Sequence, residues 1–370
     1  MKIGIDARPT QGEFTGDATY WRGLIHGLSG LEIEDEIILY FDPRLPHPQL
    51  NMVRPFTMRY VQAMNWRMWS IFAFPRALKK DRVDLAHVQY SLPPVLPCTM
   101  LTSIHDVSFK RHPEFFAWKD RIILDAAVKR AGNRAARILT LSEYQKNEIT
   151  DLYGISADKI AVIPLAAEEQ FQPVDRAAAK RELAEKYGIK SEFILSVGVI
   201  QPRKNLPRLL EGYAGLSPQL RATTKLVIVG KRGWLESEFP RKIEELGLSE
   251  GVVLPGYVPL DDLQTFYNAA ELFVYPSVYE GFGLPPLEAM ACGTPAITGN
   301  QSSLPEVVGD AGLMVDPYDS NAFTKAITMV LTDESLRTKM SAMGLKQAAK
   351  FSWARTAERV LEIYHEARSE

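Results

Sequence analysis

The 370-residue sequence predicts an α/β protein made of two doubly wound parallel sheets. Short apolar strand patterns alternate with helical ones along the whole chain, and the alternation restarts after a segment bounded by prolines, Pro164 to Pro173. The length agrees, being long for one domain and comfortable for two of about 180 residues each.

In the first series, strands are expected at Lys2–Asp6, Glu36–Phe41, Thr57–Gln62, Leu85–Gln89, Thr99–His105, Arg137–Leu141 and Ile160–Pro164. Helical patterns at Ala18–Leu28, Trp66–Lys80, Trp118–Arg134 and Glu143–Tyr153 separate most of them. The second series has strands at Phe193–Val199, Lys225–Val229, Gly251–Leu254, Leu272–Tyr275, Pro295–Thr298 and Gly312–Val315. This gives domains at residues 1–165 and 174–352, a linker at 166–173, and a polar-faced final helix over 353–370. Open parallel sheets bind ligands beyond the carboxyl ends of their strands, so functional residues are expected there.

Composition narrows the classes. Apolar residues make up 46% of the chain, enough for two cores, and the net charge of −2 argues against a dedicated nucleic-acid binder. Basic residues number 21 against 18 acidic up to Leu165 and 22 against 27 beyond it, an asymmetry that permits transient membrane contact without requiring it. Cys98 and Cys292 are too few and too far apart for a disulfide framework or a zinc site. The first residues read as a strand rather than a leader, and no apolar run approaches the length of a membrane span, so a cytoplasmic protein is expected.

The most informative stretch is Tyr279-Glu280-Gly281-Phe282-Gly283-Leu284-Pro285-Pro286-Leu287-Glu288, running on to Gly293. It follows the buried-strand pattern at 271–276. Gly281 and Gly283 permit torsions and close approach that a side chain forbids, Pro285 and Pro286 suit a first helical turn, and Gly293 suits the stop. A helix starting at a strand end, with N–H groups near Phe282 to Leu284 directed outward, is an anion site. Glu280 before the helix and Glu288 within it can share one crevice and accept hydrogen bonds from a polyol. Each alone could instead be a dipole-complementing or solvated carboxylate.

The segment resembles the Glu-x7-Glu signature of the retaining nucleotide-sugar glycosyltransferases of family 4. That resemblance implies the GT-B architecture: two Rossmann-like domains facing a cleft, with the chain's end crossing back to the first. It implies that Glu288 holds ribose hydroxyls and Glu280 the hydroxyls of the sugar. The nucleotide base would lie near Gly256-Tyr257-Val258-Pro259, so Tyr257 and Val258 are expected at the donor site.

Other residues gain meaning beside it. Arg203 and Lys204 follow the strand pattern 193–199 at a helix start, where cations are disfavoured unless an anion is supplied. By resemblance they bind the donor diphosphate with the backbone around Gly281, Phe282, Gly283 and Leu284. His105, at a strand end, is by resemblance the histidine that faces the donor sugar, with Asp106 expected to orient it. His87 is a weaker candidate. Gly16, in the segment Thr15-Gly16-Asp17-Ala18, is expected to let backbone approach the diphosphate or sugar. Relatives carry a second glycine where Ala18 stands, and Asp17 either caps the helix or touches the acceptor.

These parts imply a retaining transfer of a hexose, with mannose from GDP-mannose ranked first and glucose from a UDP-sugar second, to a glycan, lipid-linked or small-molecule hydroxyl. No cofactor is expected beyond the donor, and without an Asp-x-Asp motif no metal. A nucleotide-sugar 2-epimerase and a non-catalytic nucleotide-sugar binder remain open. The aromatic run Asn65 to Phe74 could line an acceptor site or be core, and the basic stretch Arg121, Lys129, Arg130, Arg134 and Arg137 could meet anionic lipid at the inner face of a membrane or be a solvated face.

Overall fold

The computed structural model describes residues 1–12, 16–231 and 238–369, without the side chains of residues 238 and 369. The chain divides into two compact units, Met1–Ala166 with Phe351–Glu370, and Ala167–Lys350.

The first unit holds seven parallel strands: β1 (Lys2–Asp6), β2 (Glu36–Phe41), β3 (Thr57–Tyr60), β4 (Leu85–Gln89), β5 (Thr99–Ser103), β6 (Arg137–Thr140) and β7 (Ile160–Val162). Their order is β3-β2-β1-β4-β5-β6-β7, so the direction of winding reverses between β1 and β4. The strands read as near-continuous apolar runs because helices cover both faces, and Ile3, Ile5, Leu85, Ala86 and Leu101 are fully buried. The helix Gly16–Gly30 follows β1, and the last helix, Trp353–Ser369, packs on it. Glycine shapes that contact: a Cβ at Gly23 would lie 2.0 Å from the Trp353 ring. Thr356 Oγ1 donates to the carbonyl of Pro164 at 2.7 Å in the same unit.

The segment expected as one helix over Trp66–Lys80 is instead three pieces: a turn at Trp66–Met68, a π-helical turn at Trp69–Ala73 and a helix at Phe74–Asp81. Pro75 has no N–H to give to an i−4 carbonyl, and the N–H of Phe74 reaches back to Trp69 O just before it. Trp69 and Phe74 stack at 4.7 Å in the core, while Trp66, Ile71 and Phe72 are exposed. The aromatic run is thus partly core and partly surface.

The second unit holds β8 (Glu192–Val197), β9 (Thr224–Val229), β10 (Val252–Gly256), β11 (Leu272–Tyr275), β12 (Ala296–Gly299) and β13 (Leu313–Val315). All pairs are parallel, in the order β10-β9-β8-β11-β12-β13. The reversal falls between β8 and β11, which opens a crevice at their carboxyl ends. Beyond β9, a Cβ at Gly230 would lie 2.0 Å from the carbonyl oxygen of Gly198, and its φ of +152° is one that other residues rarely adopt.

Candidate active site

In the second unit, the loops after β8 and β11 are stitched together at the switch point. The N–H of Val278 donates to Arg203 O at 3.0 Å, Ser277 Oγ donates to the same carbonyl at 2.9 Å, and Asn205 Nδ2 donates to Pro276 O at 3.1 Å. Arg203 and Lys204 lie in a 3-10 turn, Pro202–Lys204, before the helix Leu206–Ala214.

Glu280 joins this turn directly. Lys204 Nζ donates to Glu280 Oε1 at 2.6 Å and Arg203 Nη1 to Oε2 at 2.9 Å. Ser277 Oγ shares its one proton between Arg203 O and Oε1, and Lys204 also donates to the Tyr275 hydroxyl. Glu280 is only 6% exposed. Burial acts to raise its pKa, but Arg203, Lys204 and these hydrogen bonds outweigh burial and hold it down to about 2. Glu280 therefore stays ionised, and the three side chains together carry a net charge of +1.

The backbone that follows has the expected form. Gly283, at φ +114°, caps the helix Leu284–Ala291, with Pro285 and Pro286 in its first turn, and Gly293, at φ +78°, lies just past its end. A Cβ at Gly283 would lie 2.8 Å from Leu304. Gly281 and Phe282 are buried, and Leu284 is half-buried. Ser303 Oγ lies 3.0 Å from Glu280 O and 2.6 Å from Phe282 O, its one proton shared between the two carbonyls, and the N–H of Glu280 donates to Ser302 Oγ at 3.0 Å. These serines hold the loop in shape, and no sequence motif marked them.

Glu288 is buried in the same helix, where its Oε2 accepts from the Tyr267 hydroxyl at 2.7 Å. Burial raises its pKa to about 7, and nearby Glu168 adds to the rise. Glu280 and Glu288 thus differ sharply in proton affinity although both are buried, because only Glu280 has cations beside it. The Tyr275 hydroxyl, pushed far up chiefly by burial, feels the charge of both. Tyr257 and Val258 follow β10, two strands over from β8. Tyr257 is 49% exposed, with Lys231 Nζ 5.0 Å from its ring, and Val258 is buried.

In the first unit, His105 follows β5 and is 6% exposed. Its Nδ1 lies 2.8 Å from Asp17 Oδ1, in the first turn of the helix Gly16–Gly30. The Tyr20 ring meets the imidazole edge-on at 4.6 Å. Asp106 does not orient His105 as expected: its Oδ1 accepts from the N–H and hydroxyl of Ser108, at 3.0 and 2.6 Å, because the short helix Ser108–Arg111 starts there. Asp17 is the carboxylate on the imidazole. Gly16 opens its helix, where among the described residues no atom beyond its neighbours and its own helix lies within 4 Å of where a Cβ would stand, and Thr15 falls outside the described residues.

His87 is structural. It is fully buried, with Nδ1 2.8 Å from the Tyr364 hydroxyl and Nε2 2.7 Å from Ser103 Oγ. Burial, with His105 nearby, pushes its pKa down to about 3, so the ring is neutral. Among the described residues, no group of three or more His, Cys, Asp and Glu side chains is arranged to hold a metal ion, and no helix is long and apolar enough to cross a membrane.

Two family models match the chain: Glycosyltransferase Family 4 over residues 14–170 and Glycosyl transferases group 1 over residues 179–347. O-antigen chain mannosyltransferase B of Escherichia coli is 40% identical over 267 residues, covering 71% of this chain and 69% of that one. The chain belongs to the family 4, group 1 glycosyltransferases. A D-inositol 3-phosphate glycosyltransferase of Acidothermus cellulolyticus is 34% identical over 260 residues, covering 68% of this glycosyltransferase and 57% of the relative. The match to serotype-specific mannosyltransferase WbdA of Escherichia coli, 38% identical, spans 62% of this chain and only 28% of that one.

Solved structures place the glycosyltransferase in the GT-B fold class. Sucrose-phosphate synthase from Thermosynechococcus elongatus superposes with a TM-score of 0.78 at 21% identity, over 99% of this chain and 98% of that one. WaaG, a glycosyltransferase involved in lipopolysaccharide biosynthesis, superposes with a TM-score of 0.76 at 18% identity, over 98% and 99%. The two parallel-sheet units are those of this architecture.

Proposed function

We propose that this glycosyltransferase moves mannose from GDP-mannose to a hydroxyl of a glycan, with retention of configuration. The observation that carries the reading is the Arg203–Lys204–Glu280 cluster at the switch point between β8 and β11, one helix start away from Glu288. A net positive centre beside a helix N-terminus suits a diphosphate, whose charge grows as the sugar–phosphate bond breaks. Mannose rather than another hexose is supported by the relatives named as mannosyltransferases, at 38–40% identity.

Glu280 acts here chiefly as the counterion that fixes Arg203 and Lys204, and its remaining lone pairs can accept sugar hydroxyls. Glu288 accepts the ribose hydroxyls. Neither serves as an acid–nucleophile pair, since Glu280 is held ionised between two cations and Glu288 is engaged by Tyr267. Positioning and electrostatic stabilisation of the departing diphosphate supply the rate.

The test is a thermal-shift screen of the purified protein against GDP, UDP, TDP and ADP and their sugars, followed by NMR of the anomeric proton in the product. A ligand that binds only the folded protein raises its melting temperature. Selective stabilisation by GDP and GDP-mannose, with an α-linked product, is expected. Selective stabilisation by uridine compounds would replace the donor, an inverted product would overturn retention, and conversion of GDP-mannose without acceptor would favour an epimerase.

A further inference from the structure

His105 presents an imbalance. The ring is buried, its Nδ1 is 2.8 Å from Asp17 Oδ1, and its Nε2 is buried with no hydrogen-bond partner among the described residues. A buried polar nitrogen left without a partner is destabilising, and such atoms in a folded protein call for an explanation.

The contacts favour one tautomer over the other. An ionised carboxylate only accepts, so His105 must donate Nδ1–H to Asp17. Gln89 Nε2 also lies near Nδ1, at 3.3 Å, and would ask Nδ1 to accept instead. The side-chain oxygen of Gln89 is fixed by the Trp21 indole N–H at 2.7 Å, which leaves the amide nitrogen facing the ring. The Asp17 contact is shorter and charge-assisted, so it decides the proton's position. In the singly protonated ring with its proton on Nδ1, Nε2 presents a lone pair.

We propose that Asp17 is a positioning residue of the transfer reaction: it holds His105 in the tautomer whose Nε2 accepts a hydrogen bond from a sugar hydroxyl. The neighbourhood suits that role. The edge of Tyr20 fixes the ring from one side, and the Tyr20 hydroxyl is itself tied to Ser103 Oγ at 2.8 Å, so the imidazole has little room to turn. Asp17 stands in the first turn of a 15-residue helix, where a carboxylate is favoured by the helix dipole, so holding it there costs little. Because Asp17 and His105 lie 88 residues apart, only the carboxyl ends of β1 and β5 bring them together. The inference rests on the glycosyltransferase reading and adds to it the direction of one hydrogen bond, hydroxyl to histidine.

The test has two arms. The first is donor-free: long-range proton–nitrogen NMR of protein labelled with nitrogen-15 at histidine, at pH 8, with His105 assigned through His105→Gln. The expected result is protonated Nδ1 and unprotonated Nε2 in the wild type, shifting toward the opposite tautomer in Asp17→Ala. A wild-type ring protonated on Nε2, or an Asp17→Ala spectrum unchanged, would overturn the proposal.

The second arm measures transfer from GDP-mannose to methyl α-mannoside. Asp17→Ala is expected to lower kcat/KM by about tenfold or more, with Asp17→Asn intermediate. That loss should vanish with the one monodeoxy donor or acceptor whose missing hydroxyl is the one His105 meets, and this identifies which sugar it belongs to. A loss that persists with every deoxy analogue would overturn the proposal. Failure of the wild type to use GDP-mannose would count against the donor reading alone, because the tautomer is measured without donor.

Discussion

Replacing Glu288 with glutamine keeps an acceptor for the Tyr267 hydroxyl and removes a charge that burial disfavours. The carboxyl titrates near its ordinary 4.5 in the unfolded chain and near about 7 in the folded one. Between those values the native state keeps a proton that the unfolded chain has released, so stability falls as pH rises through this window and stays low above it. At 1.36 kcal/mol per pKa unit, the full difference is about 3 kcal/mol at pH 8 and about 1 kcal/mol or less at pH 5. Glutamine does not titrate. Glu288→Gln should therefore raise the melting temperature of the protein at pH 8 by about 5 °C or more while changing it little at pH 5. Thermal unfolding of both proteins at the two pH values is the assay. A difference of equal size at both, or a variant that loses stability relative to wild type as pH rises, would refute the assignment of a buried, proton-binding Glu288.

If Glu288 meets ribose hydroxyls as a carboxylate, GDP-mannose affinity in the wild type should rise with pH through about 7, and titration calorimetry should show that dependence disappear in Glu288→Gln. Glu280→Gln removes the carboxylate charge that Arg203 and the buried Lys204 share and should destabilise the protein by about 3–5 kcal/mol in denaturant titrations. Lys204→Ala should chiefly slow turnover, read as a fall in kcat larger than any change in donor affinity. Gly230→Ala should cost more than about 3 kcal/mol or prevent soluble expression, because its Cβ would sit 2.0 Å from the Gly198 carbonyl oxygen, whereas Gly247→Ala, also at positive φ but in open space, should cost only about 1 kcal/mol. Comparable effects for the two glycines would show that close approach is not what Gly230 provides.

Much of this was legible in the order of residues. The strand patterns of Leu272–Tyr275 and Leu85–Gln89 match the observed strands because buried parallel strands are nearly uninterrupted apolar runs. Thr57–Gln62 ran two residues past β3, since an edge strand ends where its single neighbour stops pairing. The break within Trp66–Lys80 was harder to see, because periodicity survives a π turn even as the hydrogen-bond ladder shifts. At the site, Gly283, Pro285 and Gly293 could be placed from backbone chemistry alone. What no linear reading could supply was pairing: that Glu280 meets Lys204 from 76 residues away follows only from β8 and β11 being neighbours, Asp17 meets His105 only because β1 and β5 end on either side of β4, and Tyr267 meets Glu288 only across two helices. Asp106 drew the orienting role by adjacency, but a residue next to another along a strand end points elsewhere, here to Ser108.

The docking of Trp353–Ser369 on Gly16–Gly30 bears on the order in which the protein can be made. Residues 1–166 leave the ribosome with the slot at Gly23 unfilled and His87 still waiting for the Tyr364 hydroxyl. The second unit is one continuous stretch, Ala167–Lys350, and can close while the chain is still growing. At about 5–20 residues per second, the opening unit waits roughly 10–40 s for its last helix. During that interval Trp21, Leu24 and Leu28, buried in the finished protein, sit on a helix still short of its partner, so the unit begun before the other is completed only after it.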